Sequence, residues 1–553
     1  MPFGILECNK LDAVPGTAFM TDNDDLPSEF SIVPPQELKH GHGRFAHVIL
    51  VPQPSDDPDD PLNWSQWKKE RILLIIGFAA GVVGSYGPML SPGYVQISAE
   101  LGVPVSQLSK ATSWMILCLG LSLFLLNPLA KIYGRRPVYM FAIVVLFVSS
   151  VIGGTAENVR HFRISRIIAG LGLGPFEILV QCTIGDLYFV HERATRVAFA
   201  NMCILCGINA GALISGYVIE NLGWKWCFWI CTILYGLLII LIVFFVPETL
   251  YHREPSVNLQ PLACDIKGEG TQHIETQRDE VDNATHQTEA GGMLTPSKKS
   301  YWHSLRIYTG RYSNAPLLKV AARPLILFWY PAVFVLFAIF GVMMTWSVVY
   351  SGVVGVIFVN PPYNFSTSQA GLTSLSPLIM SIIGEVVSGT LNDTICLYLT
   401  RKNRGIYEPE FRLVLVILVT ILGTVGFFGF GATVHYQTHW TGPVLTYGLS
   451  YMALAFASTC LYGYVLDCYP ILNAEAFVVL NMRNVLAFGM SYVIEDWLAS
   501  AGPLDVFIVL GSIFLATCVC TIPLWIFGKR CRSWIARNKW LSRFMSDPIL
   551  ARQ

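Results

Sequence analysis

Charge is scarce in this chain: Asp, Glu, Lys and Arg make up only 13% of its 553 residues. A soluble protein of this length needs more charge to cover its surface, so a water-dissolved globular class is excluded. Neither sign is in excess, with 37 basic against 37 acidic residues, so no basic face for nucleic acid is expected. The first 70 residues lack the apolar core of a cleavable signal peptide. A glycine-rich phosphate-cradling loop is missing too, so ATP hydrolysis is not the expected energy source. Metal chemistry lacks a ligand set. Cys203 and Cys206, like Cys227 and Cys231, have no His or Asp nearby in sequence, and His435-Tyr-Gln-Thr-His439 has Tyr436 where a metalloprotease needs glutamate. The 14 cysteines lie mostly in apolar runs, as at Cys118, Cys182, Cys460 and Cys518, and read as small buried hydrophobes rather than a disulfide framework. No cofactor, no metal and no enzymatic activity are expected.

Apolar sequence is abundant: 53% of residues are hydrophobic and the mean hydropathy is +0.51. A bilayer crossing needs about 20 apolar helical residues, with every backbone group satisfied inside the helix. Twelve runs meet that need: 72–90, 111–130, 138–155, 164–185, 197–219, 226–246, 325–353, 370–394, 412–432, 442–466, 476–498 and 504–527. The expected fold class is therefore an all-α integral membrane protein of two six-helix bundles with 12 transmembrane helices. Its parts are an N-terminal tail (1–70), a first bundle (71–246), a linker with an interfacial helix (247–323), a second bundle (324–528) and a C-terminal tail (529–553). Asn63 and Ser65 can cap the first helix, whose Trp64 and Trp67 suit a membrane interface. Residues 254–298 are polar and Thr/Gln-rich, as a flexible linker is, and an amphipathic pattern follows around Trp302, Leu305, Leu317 and Leu318. An even span count puts both termini on one side. Lys131, Arg135, Arg136, Arg193, Arg196, Arg401, Lys402, Arg404 and the run from Lys529 to Arg543 fall on that side, whereas loops 354–368 and 433–441 carry no Lys or Arg. The positive-inside rule makes both termini cytoplasmic, in a membrane expected to be the plasma membrane.

The turn after the second run reads Asn127-Pro-Leu-Ala-Lys131-Ile-Tyr-Gly134-Arg135-Arg136-Pro137. It resembles the signature G-x-L-x-D-x-x-G-R-[RK] of the major facilitator superfamily, with Asn127 in place of the glycine and Lys131 in place of the acid. Arg166-Ile-Ile-Ala-Gly170-Leu-Gly172 resembles that family's span-4 motif. Gly207 to Gly216 resembles its span-5 antiporter motif, with Ala212 for the proline and Ser215 for a glycine. Pro247-Glu248-Thr249 is a further family mark. The turn ending in Asp393, with Arg401 and Arg404, repeats the first-half signature, while Glu408-Pro-Glu-Phe-Arg412-Leu and Asp57-Pro-Asp-Asp-Pro-Leu-Asn-Trp64 look like the fungal drug:proton antiporter branch. The resemblance covers residues 56–530 and implies a monomeric secondary carrier of a small organic solute that exchanges it for protons by alternating access, with export favoured. Uptake of a polyamine-like cation is the alternative, because the span-5 motif is altered. A non-transporting receptor is the alternative from another class.

Physical reading of the same residues adds roles. Gly170, Gly172, Gly207, Gly211 and Gly216 let helices approach closely. Arg135 and Arg136 anchor topology, and the resemblance implies a charge latch between the halves that includes them with Lys131, Asp393, Arg401 and Arg404. Lys131 in such a latch needs an acid, for which Asp467 and Glu475 are the candidates. Charges inside a membrane are costly and therefore informative. Glu177 follows Arg166 by eleven positions, so both, with Gln181, are expected on one cavity-facing helix side, and Glu177 is the expected proton site. Ser374, Ser381, Glu385, Ser388 and Asn392 form one stripe in span 8, expected to face the same cavity, with Glu385 the next proton candidate. In span 7, Tyr330, Phe334, Phe337, Trp346 and Tyr350 can hold an apolar or cationic ligand. Asn364-Phe-Ser366 is the one glycosylation triplet expected on the far side.

Overall fold

The computed structural model describes residues 4–6, 14, 16–19, 54–55, 57–251, 301, 305–308, 310–312, 316–403, 406–469 and 473–538. Arg404, Trp302, the 254–298 linker and the residues after 538 lie outside the described residues. The first half comprises α1 (Gln66–Ser85), the short α2 (Tyr94–Leu101), α3 (Val105–Tyr133), α4 (Arg135–Gly154), α5 (Val159–Leu187), α6 (Val190–Leu222) and α7 (Lys225–Phe245). The second comprises α8 (Leu317–Leu327), α9 (Pro331–Val359), α10 (Thr367–Leu372), α11 (Leu375–Lys402), α12 (Val416–His435), α13 (Thr441–Cys468), α14 (Asn473–Asn481), α15 (Arg483–Val519) and α16 (Thr521–Arg537).

Eleven helical runs among the described residues are long and apolar enough to cross a bilayer. The first expected span, α1, falls short because it opens on Lys68, Lys69, Glu70 and Arg71. The last two expected spans meet within α15, which is interrupted at Gly502, where φ +80° and ψ 167° break the helical path between them. The amphipathic pattern expected around Trp302, Leu305, Leu317 and Leu318 overlaps α8 only at its start: Leu317 and Leu318 are exposed there, and Val320, Arg323 and Leu327 are buried further along.

Close backbone approach fixes the bundles. A Cβ on Gly170 would lie 2.4 Å from the Met115 carbonyl of α3, and one on Gly172 2.7 Å from the Ala142 carbonyl of α4, so α5 is wedged between them. Gly207 and Gly211 bring α6 equally close to Gly81 and Ser85 of α1. Gly216 differs, because its neighbours Thr367 and Gly371 belong to the other half. At Gly134, φ is +104° and a Cβ would strike the Glu248 carboxylate, so the turn between α3 and α4 requires glycine.

Before α1, Asp60 organises the Asp57–Trp64 motif. Its carboxylate accepts hydrogen bonds from the amide and hydroxyl of Ser55 and from the Leu62 amide, and Tyr251, just past α7, donates to Asp57 at 2.8 Å. Ser65 occupies the cap position of α1 but makes no side-chain cap bond, so Asp60 fixes this entry instead of the expected Asn63 and Ser65. The tail is also more than a solvated leader. Ala18–Phe19 pairs antiparallel with Ile406–Tyr407, a two-stranded contact the apolar pattern does not announce.

Candidate functional site

Between the halves lies a cavity of about 200 Å³, lined by α1, α3, α5 and α6 on one side and α9, α13, α14 and α15 on the other. Glu177 and Gln181 of α5 reach it as expected. Glu177 accepts from Arg483 Nη2 at 3.4 Å and from Asn484 Nδ2 at 3.3 Å, so a charge pair spans the two halves at the cavity wall. Gln181 donates to Asn201 of α6 at 2.7 Å. The Arg483 guanidinium sits 5.2 Å from the Phe340 ring centroid, and Phe176, Tyr462 and Phe477 add further aromatic wall.

Arg166 is not part of this cavity. Eleven helical residues span about 16 Å along the axis, and Arg166 lies enclosed in the first half, donating to the Tyr86 carbonyl at 2.8 Å with the rings of Tyr86, Phe162 and Phe228 about it. One helix face therefore serves two depths: a packing anchor at Arg166 and a cavity group at Glu177.

The span-8 stripe turns to α13 instead of the cavity. Ser388 bonds Thr459 at 2.7 Å, Ser381 returns its hydroxyl to the Pro377 carbonyl of its own helix, and Ser374, Glu385 and Asn392 are buried with them. Glu385 is 4% exposed and accepts from Ser458 at 2.9 Å and Thr459 at 3.2 Å. No ion pair to Glu385 is formed among the described residues. Ser458 itself lines the cavity, so Glu385 stands one hydroxyl behind the wall. The expected span-7 aromatics are likewise displaced. Tyr330 precedes α9 and packs on Tyr469, Tyr350 is enclosed by Phe427, Phe430, Tyr447 and Phe507, Trp346 is buried, Phe337 packs on Phe328, and Phe334 is half-exposed. Phe340, one turn beyond Phe337, takes the cavity position.

On the basic-loop face a second cavity, of about 330 Å³, shares Gln181 and Phe477 with the first. Its wall includes Lys131, Arg135, Asp186 and Glu475. Lys131 Nζ lies 2.7 Å from Glu475 Oε1, and Arg323 of α8 approaches the same oxygen at 3.7 Å. Asp467 does not join them. It pairs with Arg412 at 2.5 Å and accepts from Tyr407, while Asp393 lies 3.8 Å from Arg412. Burial and the neighbouring Asp467 carboxylate push the Tyr407 hydroxyl's pKa well up, so it remains a donor there. Arg135 pairs with Asp186 at 2.8 Å, and the Glu248 carboxylate caps the Arg135 and Arg136 amides at 3.0 Å each. Arg401 is exposed in the last turn of α11.

The opposite face is tighter. A crevice of about 10 Å³ remains there, near the volume of a single water. A Cβ on Gly355 of α9 would fall 2.1 Å from the Ser91 carbonyl, and a Cβ on Gly216 or Gly371 would lie 3.0 Å from the other's Cα. Glu220 accepts from the Ser366 hydroxyl at 3.1 Å and the Ser368 amide at 2.6 Å, and Lys110 reaches Asp496 at 3.2 Å. Asn364 is exposed on this side.

Arg483 was missed by sequence reasoning, although the signal was present: it is an ionisable residue inside the 476–498 run, as costly there as Glu177.

A two-bundle helical fold around a central cavity with a separate closure on each face defines a membrane carrier. The sequence model of the Major Facilitator Superfamily matches residues 72–492, and the chain belongs to that family. An uncharacterised MFS-type transporter of Schizosaccharomyces pombe is 26% identical over 560 residues, covering 96% of this chain and 94% of the relative. Protein HOL1 of Saccharomyces cerevisiae is 25% identical over 564 residues, covering 93% and 96%. Among solved structures the proton:xylose symporter XylE aligns with a TM-score of 0.57 and 17% identity over 84% of this chain and 96% of its own, a likeness of fold.

Proposed function

We propose that this carrier moves a small organic solute by alternating access and couples the movement to protons, with export by antiport as the working direction. It does so as a twelve-span monomer with both termini cytosolic, in the plasma membrane. The observation that carries the reading is a carboxylate at the cavity, Glu177, with a second, Glu385, one hydroxyl behind its wall. Glu177 has a cationic partner in Arg483 and is suited to sensing solute, because a ligand between the halves must accommodate or part that pair. Among the described residues Glu385 is bonded by hydroxyls and forms no ion pair, and a buried carboxylate without a counter-ion is costly unless it can take up a proton. This moves the proton role from Glu177, the expected site, to Glu385.

Ser458 links the two. With Glu385 ionised, the Ser458 hydroxyl must donate to it. With Glu385 protonated, the carboxyl donates instead, Ser458 accepts, and the serine's own proton is free for the Ala455 carbonyl at 2.9 Å or for a group in the cavity. Proton occupancy is thereby felt by the solute through one rotating hydroxyl. Export rests on the antiporter-branch motifs. Uptake of a polyamine-like cation is the second reading, favoured by Ala212 and Ser215 in the altered span-5 motif, while Arg483 counts against it by placing a positive charge in the cavity. Solute flux in proteoliposomes under an imposed pH gradient tests the proposal. Antiport requires accumulation toward the acidic compartment, uptake by symport requires the reverse, and no flux of any solute would leave a receptor.

A further inference from the structure

The N-terminal tail enters a groove on the basic-loop face of the second half, and the groove has the features of a peptide site. Ile5 is fully buried against Cys396, Tyr407 and Phe411, with Leu399 and Trp525 beside them. Leu6 donates its amide to the Ile526 carbonyl at 3.1 Å. Further on, Gly16 takes φ +87°, where a Cβ would lie 2.8 Å from the Asp467 carbonyl. Thr17 donates to Glu408 at 2.9 Å, and Ala18 and Phe19 pair in register with Tyr407 and Ile406. The segment thus touches α11, the loop before α12, the end of α13 and α16.

We propose that this groove is a peptide-binding site, filled by the chain's own N-terminal segment through strand addition, and that the segment is exchangeable. Strand addition supplies main-chain hydrogen bonds, and pockets beside the strand supply selectivity. Here the selectivity elements are a buried branched apolar anchor at Ile5, a glycine that only a left-handed backbone fits at Gly16, and a hydroxyl donor to Glu408 at Thr17. The ligand class is therefore a short peptide with an aliphatic anchor upstream of a Gly-Thr-apolar strand. Attachment in cis gives the segment a high effective concentration, and a weak site can then remain filled. Nothing in this inference depends on which solute the carrier moves.

The test uses the full-length protein in detergent and a fluorescent peptide copying residues 1–20. Gly16→Val strains the backbone and drives its Cβ to 2.8 Å from the Asp467 carbonyl, so it should eject the resident segment and empty the groove. The labelled peptide is expected to bind this variant saturably and about tenfold or more tighter than wild type, whose groove is occupied. A peptide carrying Ile5→Asp should not bind. Full-length Ile5→Asp is the second acceptor, against the event that Gly16→Val is poorly folded, and should behave alike. Absence of binding to either monodisperse variant would overturn the proposal. So would equal binding by wild type and variants, or equal binding of the wild-type and Ile5→Asp peptides.

Discussion

The two faces of the carrier are closed by different physics. On the far face, backbone meets backbone at Gly355 and Ser91 and at Gly216 and Gly371, and a crevice of only about 10 Å³ is left. On the basic face, Lys131, Arg323 and Glu475 meet as charges, and a vestibule of about 330 Å³ remains beside them. Contact between glycines is steric and short-ranged, so a slight separation forfeits most of it. Charges attract over a longer distance than packed backbones do, and the third-exposed Lys131 end of this cluster is weakened by salt. The far closure should therefore act as an all-or-none seal and the basic closure as an adjustable one. Lys131, a lysine where the family signature has an acid, meets an acid of the other half, Glu475, at 2.7 Å.

The largest loss of impermeability is expected from breaking the steric seal. Gly355→Val places side-chain atoms where the Ser91 carbonyl now sits, and overpacking of this kind costs about 1–3 kcal/mol. Its transport rate should fall by about tenfold or more, and reagents added from the far side should reach the cavity. Normal transport with the far side still impermeable would show that the glycine contact is incidental. Next comes Glu385→Gln, which should abolish proton-driven accumulation yet leave solute counterflow, because size and hydroxyl partners are kept while titration is lost. Retained accumulation would return the proton role to Glu177.

The adjustable seal should respond in steps. Glu475→Gln leaves Lys131 and the buried Arg323 without their carboxylate, and loss of one partner of a buried pair costs about 3–5 kcal/mol, so a lowered melting temperature is expected with the transport defect. Lys131→Glu should do less, because its side chain is 34% exposed and its charge is screened. Exchange of the two charges should restore transport only in part, since Glu475→Lys confronts Arg323. A double-mutant cycle with Asp467→Asn should be additive, because Asp467 belongs to Arg412. Strong coupling of Lys131 to Asp467 would contradict this assignment. The smallest effect belongs to Lys110→Ala, whose partner Asp496 is 64% exposed, so the pair is worth roughly 0–1 kcal/mol and transport should stay within about twofold of wild type.

Much of this arrangement is legible in the sequence, and the rest fails for identifiable reasons. Helices and their family follow from apolar length and the ordered motifs, because bilayer thickness sets a single strong period. Of the cavity, Glu177 could be read from charge inside an apolar run and Gln181 from its place one turn on along the same helix face. Arg166 could not be separated from them, because periodicity gives the side of a helix and not its depth. The span-8 stripe is a true helix face, but a polar seam against α13 and a cavity wall have the same spacing. Glu475 and Asp467 are equally placed along the chain, and only the fold of Arg412 back onto Asp467 separates them. The docked tail is hidden for another reason: its anchors, Ile5 and the Ala18–Phe19 strand, are short and scattered.

Reciprocal movement of the two faces is the claim on which the rest depends. It can be measured by spin-label distances between the halves, using Trp67→Cys with Lys402→Cys on the basic face and Leu222→Cys with Tyr436→Cys on the far face, in a chain whose reactive native cysteines are replaced. All four positions are exposed. As pH is stepped across the titration of Glu385, one distance should lengthen while the other shortens, and Glu385→Gln should hold both fixed. Distances that change together, or that respond to pH as fully in Glu385→Gln as in the parent, would contradict an alternating, proton-driven carrier.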